Sequence, residues 1–283
     1  MKYFEPSSVE EALAILEREE DACCVAGGAS LVAMMNADLL SPSALVGLRG
    51  IESIEGIQAT GDGLRIGAMT SHANIVRSEL FTAGMNVIQR AASQIAHPPI
   101  RNMGTIGGSI SHADPAADFS CALLAANAQI DVQGPNGERQ IPVDSFFRDY
   151  YETALNDNEI VTAINVPRGP ENALGEHLKV VRVDGDYATV ALSLVMAMDK
   201  DTCSYARIAA GAVAATPIHL DEADAALVDS GLEQADIETA AALLVEASDP
   251  IDDVRGSAEY RRKLIPRLLS RAVSKLREES KTS

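Results

Sequence analysis

The stretch Ile100–Asp118 reads IRNMGTIGGSISHADPAAD and carries the densest set of informative features in the chain. Three of its glycines surround two β-branched residues. Since glycine has no Cβ, a loop of this composition lets backbone N–H groups approach an anion closely. Asp114 followed by Pro115 is typical of a helix N-cap and first helical residue, which predicts a helix that begins at Pro115 and runs to about Ala126.

A second glycine pair, Gly27-Gly28, lies upstream in the sequence VAGGASL. It follows a short apolar run that predicts a buried strand, and Ser30 after it is a candidate helix N-cap. Two separated glycine loops indicate a binding site for a long, phosphate-containing ligand that is held from two sides. Asp118 would repel a phosphate but can accept hydrogen bonds from sugar or ribityl hydroxyls. Phosphate donors beside a hydroxyl acceptor favour a dinucleotide.

The composition describes a globular chain without a nucleic-acid partner or a membrane span. Its 283 residues are enough for two domains, and 47% of them are hydrophobic. The formal net charge of −18 argues against nucleic-acid binding, because phosphates would be repelled. No apolar run approaches the ~18 residues of a membrane helix. The start, MKYFEPSSVEEAL, lacks the apolar region of a signal peptide, so we expect a cytoplasmic protein.

Residue types that commonly bind metals or act as nucleophiles lack the spacing for either role. The four cysteines form no C-x-x-C pair, and the five histidines show no pattern such as H-E-x-x-H. The chain has neither a P-loop motif nor a G-x-S-x-G elbow. Gly61-Asp62-Gly63 resembles the start of a dinucleotide fingerprint, but the strand pattern after it favours a hairpin turn. We predict no metal site and no catalytic residue on this chain.

A cluster of Pro, Gly and Asn at residues 168–175 predicts a boundary between two parts of the chain. Before this point, the hydrophobic pattern predicts a helix after Ser8, a helix at 82–95, strands at 44–48, 64–68 and 160–166, and a hairpin of 130–132 with 140–143. After it, the pattern predicts strands at 178–183, 190–198 and 205–213, then helices at 218–230, 234–247 and 258–279. Strands followed by helices favour an α+β domain with an antiparallel sheet.

The last of these helices concentrates basic residues in an acidic chain. Between Arg255 and Arg277 the sequence has six arginines and two lysines. Leu264, Leu268 and Leu276 fall at helical spacing, which favours a solvated basic face with the leucines packed inward. The alternative is a docking patch for a partner chain.

Five blocks in the same order resemble the FAD-binding medium subunit of the molybdenum hydroxylase family, which includes xanthine dehydrogenase and aerobic carbon monoxide dehydrogenase. They are PSSVEEALAIL near the start, AGGAS at 26–30 with the stretch at 100–118, the FF…TAL…EIV segment at 146–161, AGAVAATP at 210–217, and DVRGSAEYRRKL at 253–264. Together they cover nearly the whole chain.

The resemblance implies an α+β fold in two domains. The first, at 1–174, would be a two-part FAD-binding domain of the vanillyl-alcohol-oxidase (PCMH-like) type, with subdomains of about 1–56 and 57–174. The second, at 175–283, would be a smaller C-terminal domain with a three-stranded antiparallel sheet and helices.

The resemblance also implies an oxidoreductase subunit that transfers electrons and binds FAD. A molybdopterin-binding large subunit and a small subunit with [2Fe–2S] clusters would be its partners, in a dimer of heterotrimers. The flavin would take electrons from the small subunit and pass them to an external acceptor. Molybdenum and iron–sulfur groups would lie on the partners.

Sixteen residues are implied as the FAD site. They are Ala26, Gly27, Gly28, Ala29, Ser30 and Leu31 in a first pyrophosphate loop; Thr105, Ile106, Gly107, Gly108 and Ser109 in a second; Asp118 on ribityl hydroxyls; Ile95 and Val161 against the cofactor; and Lys179 and Tyr187 beside the isoalloxazine.

Two positions depart from the family pattern. Ala29 stands where relatives often have Thr or His, and Ser109 stands where Asn is common. Both changes remove side-chain hydrogen bonds and leave the backbone donors in place. Two alternatives stay open: a non-catalytic FAD-binding assembly or regulatory protein, and a stand-alone flavin oxidase of the same fold.

Overall fold

A computed structural model describes residues 1–282. Its helices are α1 Val9–Arg18, α2 Leu31–Asn36, α3 His72–Arg77, α4 Asn86–Gln94, α5 Pro98–Met103, α6 Ile106–His112, α7 Asp118–Ala125, α8 Asp221–Ala225, α9 Gln234–Ala247 and α10 Ala258–Ser280. Its strands are β1 Lys2–Phe4, β2 Ala22–Val25, β3 Ala44–Gly47, β4 Ile57–Ala59, β5 Gly63–Gly67, β6 Gln129–Gly134, β7 Gly137–Pro142, β8 Phe147–Asp149, β9 Glu152–Thr153, β10 Ile160–Pro167, β11 Leu174–Val180, β12 Val190–Asp199 and β13 Thr202–Gly211.

The first layer is a parallel sheet of β1, β3 and β2, with β3 in the centre. All four residues of β3 are buried, as expected of a strand that is covered on both sides. Helix α1 begins at the predicted position, where the Ser8 hydroxyl accepts a hydrogen bond from the Glu11 N–H at 3.2 Å. Its apolar side packs on Val46, Ile51 and Ile54.

The second layer is an antiparallel sheet in the order β4-β5-β10-β6-β7. The predicted turn at Gly61 is confirmed, since β4 and β5 pair across it. The predicted hairpin is confirmed as well: Gly134 pairs with Gly137, which has a φ of +101°.

The third layer is an antiparallel sheet of β11, β12 and β13, which confirms the predicted α+β class with a three-stranded C-terminal sheet. Side chains alternate across β12: Leu192 and Leu194 face the helices α9 and α10, whereas Ala191 and Val195 face α4 and α7. Helix α7 is buried over its whole length, between this sheet and the rest of the chain.

The helix predicted at 218–230 is much shorter in the structure, where α8 covers only Asp221–Ala225. Ile218 instead pairs with Ala210 through two N–H···O bonds of 2.9 Å. At the other end, Ser230 accepts a hydrogen bond from the Cys203 N–H at 2.9 Å. Pairing with β13 thus overrides the helical pattern at both ends.

The basic face predicted on the last helix is interrupted by a buried arginine. Arg261 is 4% exposed, and its guanidinium donates to the carbonyls of Thr189 and Ala212 and to Asp253. This residue therefore joins α10 to the third sheet. Among residues 1–282, no helix is both long and apolar enough to cross a bilayer.

An ion network ties α4 to the third sheet. Arg90 pairs with Glu176, which is 2% exposed, and with Glu279 at 2.6 Å; Lys275 also pairs with Glu176 at 2.6 Å. We expect Arg90→Ala to lower the free energy of unfolding by about 2–4 kcal/mol, because Glu176 then keeps one cation instead of two while it stays buried. Urea denaturation measures the change.

Lys263→Ala is the matched control for this expectation. Lys263 forms an exposed i,i+4 pair with Glu259, and its loss should cost less than about 0.5 kcal/mol. Equal effects of the two substitutions would contradict a role for the buried network.

Candidate functional site

A cavity of about 610 Å³ lies where the three layers meet. Its walls are the loop after β2, the segment from α5 to α7, the start of β10 and the 183–187 loop before β12. This volume falls within the range of about 300–1,000 Å³ that is usual for ligand sites. Every predicted site residue lines it except Ile106 and Lys179.

The loop after β2 offers the free donors of the site. In the described part of the chain, the N–H groups of residues 27 to 31 donate to no protein acceptor, whereas Val32 donates to the Gly28 carbonyl at 3.0 Å. Gly28 has a φ of +77°, which glycine adopts readily. Ser30 precedes α2 as predicted, but its side chain makes no capping bond. Consecutive unpaired N–H groups suit a phosphate anion.

The second glycine stretch is a helix rather than the predicted loop. Thr105 is the N-cap of α6, and its hydroxyl accepts from the Gly108 N–H at 3.1 Å. Ile106 donates to Thr70 at 3.1 Å and Gly107 to Ala68 at 2.8 Å. These backbone donors are therefore satisfied inside the chain, and Ile106 is fully buried in the core.

The helix predicted after Asp114 also begins later than expected. Asp114 Oδ1 accepts from the Ala116 N–H at 2.8 Å, which makes a turn, and α7 begins at Asp118. The prediction was wrong because Asp-Pro is as compatible with a turn as with a helix start. The shift makes Asp118, instead of Pro115, the first residue of the buried helix.

The two glycine stretches are in direct contact. A Cβ on Gly27 would overlap the carbonyl of Met103 and approach the Gly104 Cα to 2.9 Å. A Cβ on Gly107 would lie 2.5 Å from the Ala68 Cβ. Gly27 and Gly107 are thus required for backbone packing, which fixes the distance between the free donors and α6.

Asp118 is the centre of a buried polar cluster. Its Oδ1 lies 3.0 Å from His177 Nε2, and its Oδ2 accepts from the Lys179 ammonium at 3.0 Å. Burial by itself would raise the pKa of Asp118, but the hydrogen bond from His177 and the charge of Lys179 hold the pKa below its ordinary value. Asp118 is therefore ionised at the cavity wall.

Lys179, predicted to lie beside the isoalloxazine, is engaged in ion pairing and does not line the cavity itself. Its side chain is 4% exposed, and the ammonium donates to Asp118 and to the Asp186 carbonyl at 3.1 Å. The lysine therefore anchors the 183–187 loop to α7 from behind the cavity wall.

The 183–187 loop covers the cavity from the C-terminal side. Gly185 has a φ of +83°, and a Cβ there would lie 2.9 Å from the Ala96 carbonyl oxygen. At the opposite wall, the Tyr187 phenol lies beside Ser30; burial raises its pKa. Arg255 sits 5.4 Å from the centroid of the Tyr187 ring. The 183–187 loop thus contacts the cavity wall at Ala96 on one side and at Ser30 on the other.

His72 lines the cavity and was missed by the sequence analysis. It is 5% exposed, its ring packs edge-on against Phe119, and its Nδ1 has no hydrogen-bond partner among the described residues. The local sequence gives only a helix start, since the Ser71 hydroxyl caps α3. The cavity position arises from the packing of α3 against α5.

We expect the stability of the apo chain to fall as the pH drops from about 6.5 to about 4 through His72. Burial, together with the charge of Arg101, lowers the pKa of His72 from 6.5 to about 4, although Asp118 acts in the opposite direction. The unfolded chain binds the extra proton in this window, so the contribution is complete above the ordinary pKa and is lost on acidification.

His72→Leu should remove this dependence, which amounts to roughly 3 kcal/mol over the window. Urea denaturation of the two chains at pH 7, 5.5 and 4.5 measures it. Parallel stability curves for the two chains would contradict the assignment.

These features define a dinucleotide-binding chain: consecutive free N–H groups at one wall, a buried ionised carboxylate at another, and a cavity of matching size. Residues 1–169 match the family model "FAD binding domain in molybdopterin dehydrogenase", and residues 178–276 match "CO dehydrogenase flavoprotein C-terminal domain".

Curated relatives and solved structures agree with these matches. The chain is 36% identical to the carbon monoxide dehydrogenase medium chain of Afipia carboxidovorans, over 99% of this chain and 97% of that one. It is 36% identical to the 6-hydroxypseudooxynicotine dehydrogenase complex subunit alpha of Paenarthrobacter nicotinovorans, over 96% and 93%. A structure of reconstituted CO dehydrogenase from Oligotropha carboxidovorans superposes with a TM-score of 0.94 at 36% identity, covering 97% and 96%.

The chain belongs to the FAD-binding medium-subunit family of the molybdenum hydroxylases. Its cofactor is FAD, and the chain is a subunit of an oxidoreductase. The residues present fit this cofactor: the free N–H groups of the first loop suit the pyrophosphate, Asp118 suits hydroxyl groups, and the unpaired Nδ1 of His72 is available for a further polar atom.

Proposed function

We propose that this chain is the FAD-carrying electron-transfer subunit of a molybdenum hydroxylase complex. It would take electrons from a [2Fe–2S] subunit and pass them to an external acceptor. The observation that carries the proposal is the loop after β2: its residues have unpaired N–H donors and line the same cavity as Asp118 and Tyr187.

The chain's own residues bind and orient the cofactor, and bound FAD supplies the reversible uptake of electrons. The N–H groups of residues 27 to 31 bind the pyrophosphate. Asp118 accepts hydrogen bonds from ribityl hydroxyls, and Lys179 compensates the buried carboxylate charge. Tyr187, at the end of the 183–187 loop, lines the cavity next to the bound cofactor. No acid, base or nucleophile on this chain is required for this role.

The partners in the proposal are a molybdopterin-binding large subunit and a [2Fe–2S] small subunit, assembled as a dimer of heterotrimers. Two relatives support a multi-subunit assembly, since one is named a medium chain and the other a subunit of a dehydrogenase complex. We also propose that the chain folds as two domains, 1–174 and 175–283.

The proposed location is the cytoplasm. The four cysteines are unpaired, which is usual in a reducing compartment.

Purification of the full chain, followed by release and mass spectrometry of its cofactor, tests the first part of the proposal. We expect about one FAD per chain. A chain that is empty and takes up no added FAD, alone or with its partner subunits, would refute the proposal.

Mixing the FAD-loaded chain with a reduced [2Fe–2S] subunit tests the second part of the proposal, the transfer of electrons to the flavin. Dithionite-reduced [2Fe–2S] subunit, desalted and mixed with the FAD-loaded chain, should bleach the flavin absorbance. Bound FAD that the reduced subunit does not bleach would favour the assembly or regulatory protein. Bleaching of the isolated chain by an organic substrate would favour the stand-alone oxidase.

A further inference from the structure

His177 on β11 is fully buried and takes no part in the cavity wall. Both of its ring nitrogens have partners: Nε2 lies 3.0 Å from Asp118 Oδ1, and Nδ1 lies 2.8 Å from Ser193 Oγ. An ionised carboxylate only accepts hydrogen bonds, so Nε2 carries a proton and donates it. His177 therefore contacts the carboxylate of the cavity without contacting the cavity itself.

Sheet register builds this contact. His177 and Ser193 stand directly opposite each other on β11 and β12, so their side chains leave the same face of the sheet. Lys179, two residues after His177, shares that face and reaches the other oxygen of Asp118. Strand β11 thus supplies the donors to both oxygens of one carboxylate on α7, and β12 supplies the residue that holds the His177 ring.

The two donors to Asp118 differ in what they supply. The Lys179 ammonium is a charge on a flexible stem. The His177 ring is a rigid plane, and Ser193 fixes its orientation from the other side. Because His177 and Lys179 each bind one oxygen of Asp118, they fix the orientation of the carboxylate and the direction of its remaining lone pairs. These lone pairs can then accept hydrogen bonds from a hydroxyl group in the cavity without reorientation of the carboxylate.

We propose that His177 is a positioning residue, which with Ser193 aligns Asp118 to accept hydrogen bonds from the polyol chain of a flavin. The inference rests on the proposed function, because it assumes that FAD occupies the cavity. It adds a selectivity: His177 matters for a ligand that carries the ribityl chain and has little effect on a ligand that ends at the pyrophosphate.

Competition binding with FAD and ADP on the full apo chain tests this selectivity. ADP has the pyrophosphate and lacks the ribityl chain. By analogy with the partners that orient metal ligands, we expect His177→Leu to weaken FAD binding by roughly 10- to 100-fold and ADP binding by less than about threefold. His177→Gln, whose amide can still donate to Asp118, should restore FAD affinity to within about fivefold of the wild type.

His219→Leu is the matched control, because His219 is a mostly buried histidine whose Nε2 lies 2.8 Å from Asp224, outside the cavity. It should leave FAD affinity unchanged. Ser193→Ala keeps both His177 and Asp118 and should weaken FAD binding by about three- to tenfold. This milder variant keeps the test decisive if His177→Leu does not fold.

Equal losses of FAD and ADP affinity in the His177 or Ser193 variants would overturn the inference, since they would indicate a general structural effect. A Gln variant as weak as the Leu variant would also overturn it. A wild-type chain that binds FAD no more tightly than ADP would instead refute the proposed function.

Discussion

Replacing Gly27 with alanine should leave a chain that does not retain FAD through purification. The added Cβ would overlap the Met103 carbonyl and lie 2.9 Å from the Gly104 Cα, so the loop after β2 must move away from α5. The unpaired N–H groups of the loop move with it. Binding groups must be held within about 0.5 Å of their productive positions, so we expect the displaced donors to weaken FAD binding by roughly 100-fold.

The ratio of flavin to protein absorbance after gel filtration measures this effect, and titration of FAD into apo chain gives the dissociation constant. Gly61→Ala is the control: a Cβ at Gly61 meets no atom within 4 Å, and the residue lies in a hairpin turn away from the cavity. Wild-type FAD affinity in the Gly27→Ala variant would show that the loop and α5 are not rigidly coupled.

Asp118→Ala should destabilise the chain by about 3–5 kcal/mol and remove FAD binding as well. The substitution leaves the Lys179 ammonium and the His177 ring buried without their carboxylate. Removing one partner of a buried ion pair costs this much, because the remaining charge stays uncompensated. Urea denaturation of the apo chain separates the loss of stability from the loss of ligand.

Two further variants identify the cause. Asp249→Ala removes a carboxylate whose side chain is 99% exposed, and it should change stability by less than about 0.5 kcal/mol. Adding Lys179→Met to Asp118→Ala removes the uncompensated charge and should recover part of the lost stability. A double variant less stable than Asp118→Ala alone would contradict the ion-pair explanation.

The two glycine stretches show which features of the site could be predicted from local sequence and which could not. Gly27 and Gly107 both line the cavity, but the predicted role of Gly107 as a free donor does not hold, because its N–H is already paired with the Ala68 carbonyl. The sequence shows that a residue lacks a Cβ; the neighbour that needs the space comes from another part of the chain. The sequence therefore predicted free donors in both stretches, whereas the structure pairs the N–H groups of Ile106, Gly107 and Gly108 within the chain.

The errors in secondary structure have the same origin. A helical pattern at 218–230 was shortened by pairing of Ile218 and Ser230 with other segments. The basic pattern of α10 concealed Arg261, which binds two backbone carbonyls in the interior. Periodicity reports which residues share a face, and it does not report what covers that face.

The sequence by itself determined the α+β class, the two hairpins, most helix and strand positions and the two glycine stretches, because these depend on periodicity and on single-residue conformational preferences over short distances. Only the tertiary structure decided that His72, His177 and Ser193 belong with Asp118, and that the Lys179 ammonium is bound to Asp118 and the Asp186 carbonyl. These residues are brought together by sheet register and by the packing of α7 between layers, which depend on contacts between distant parts of the chain.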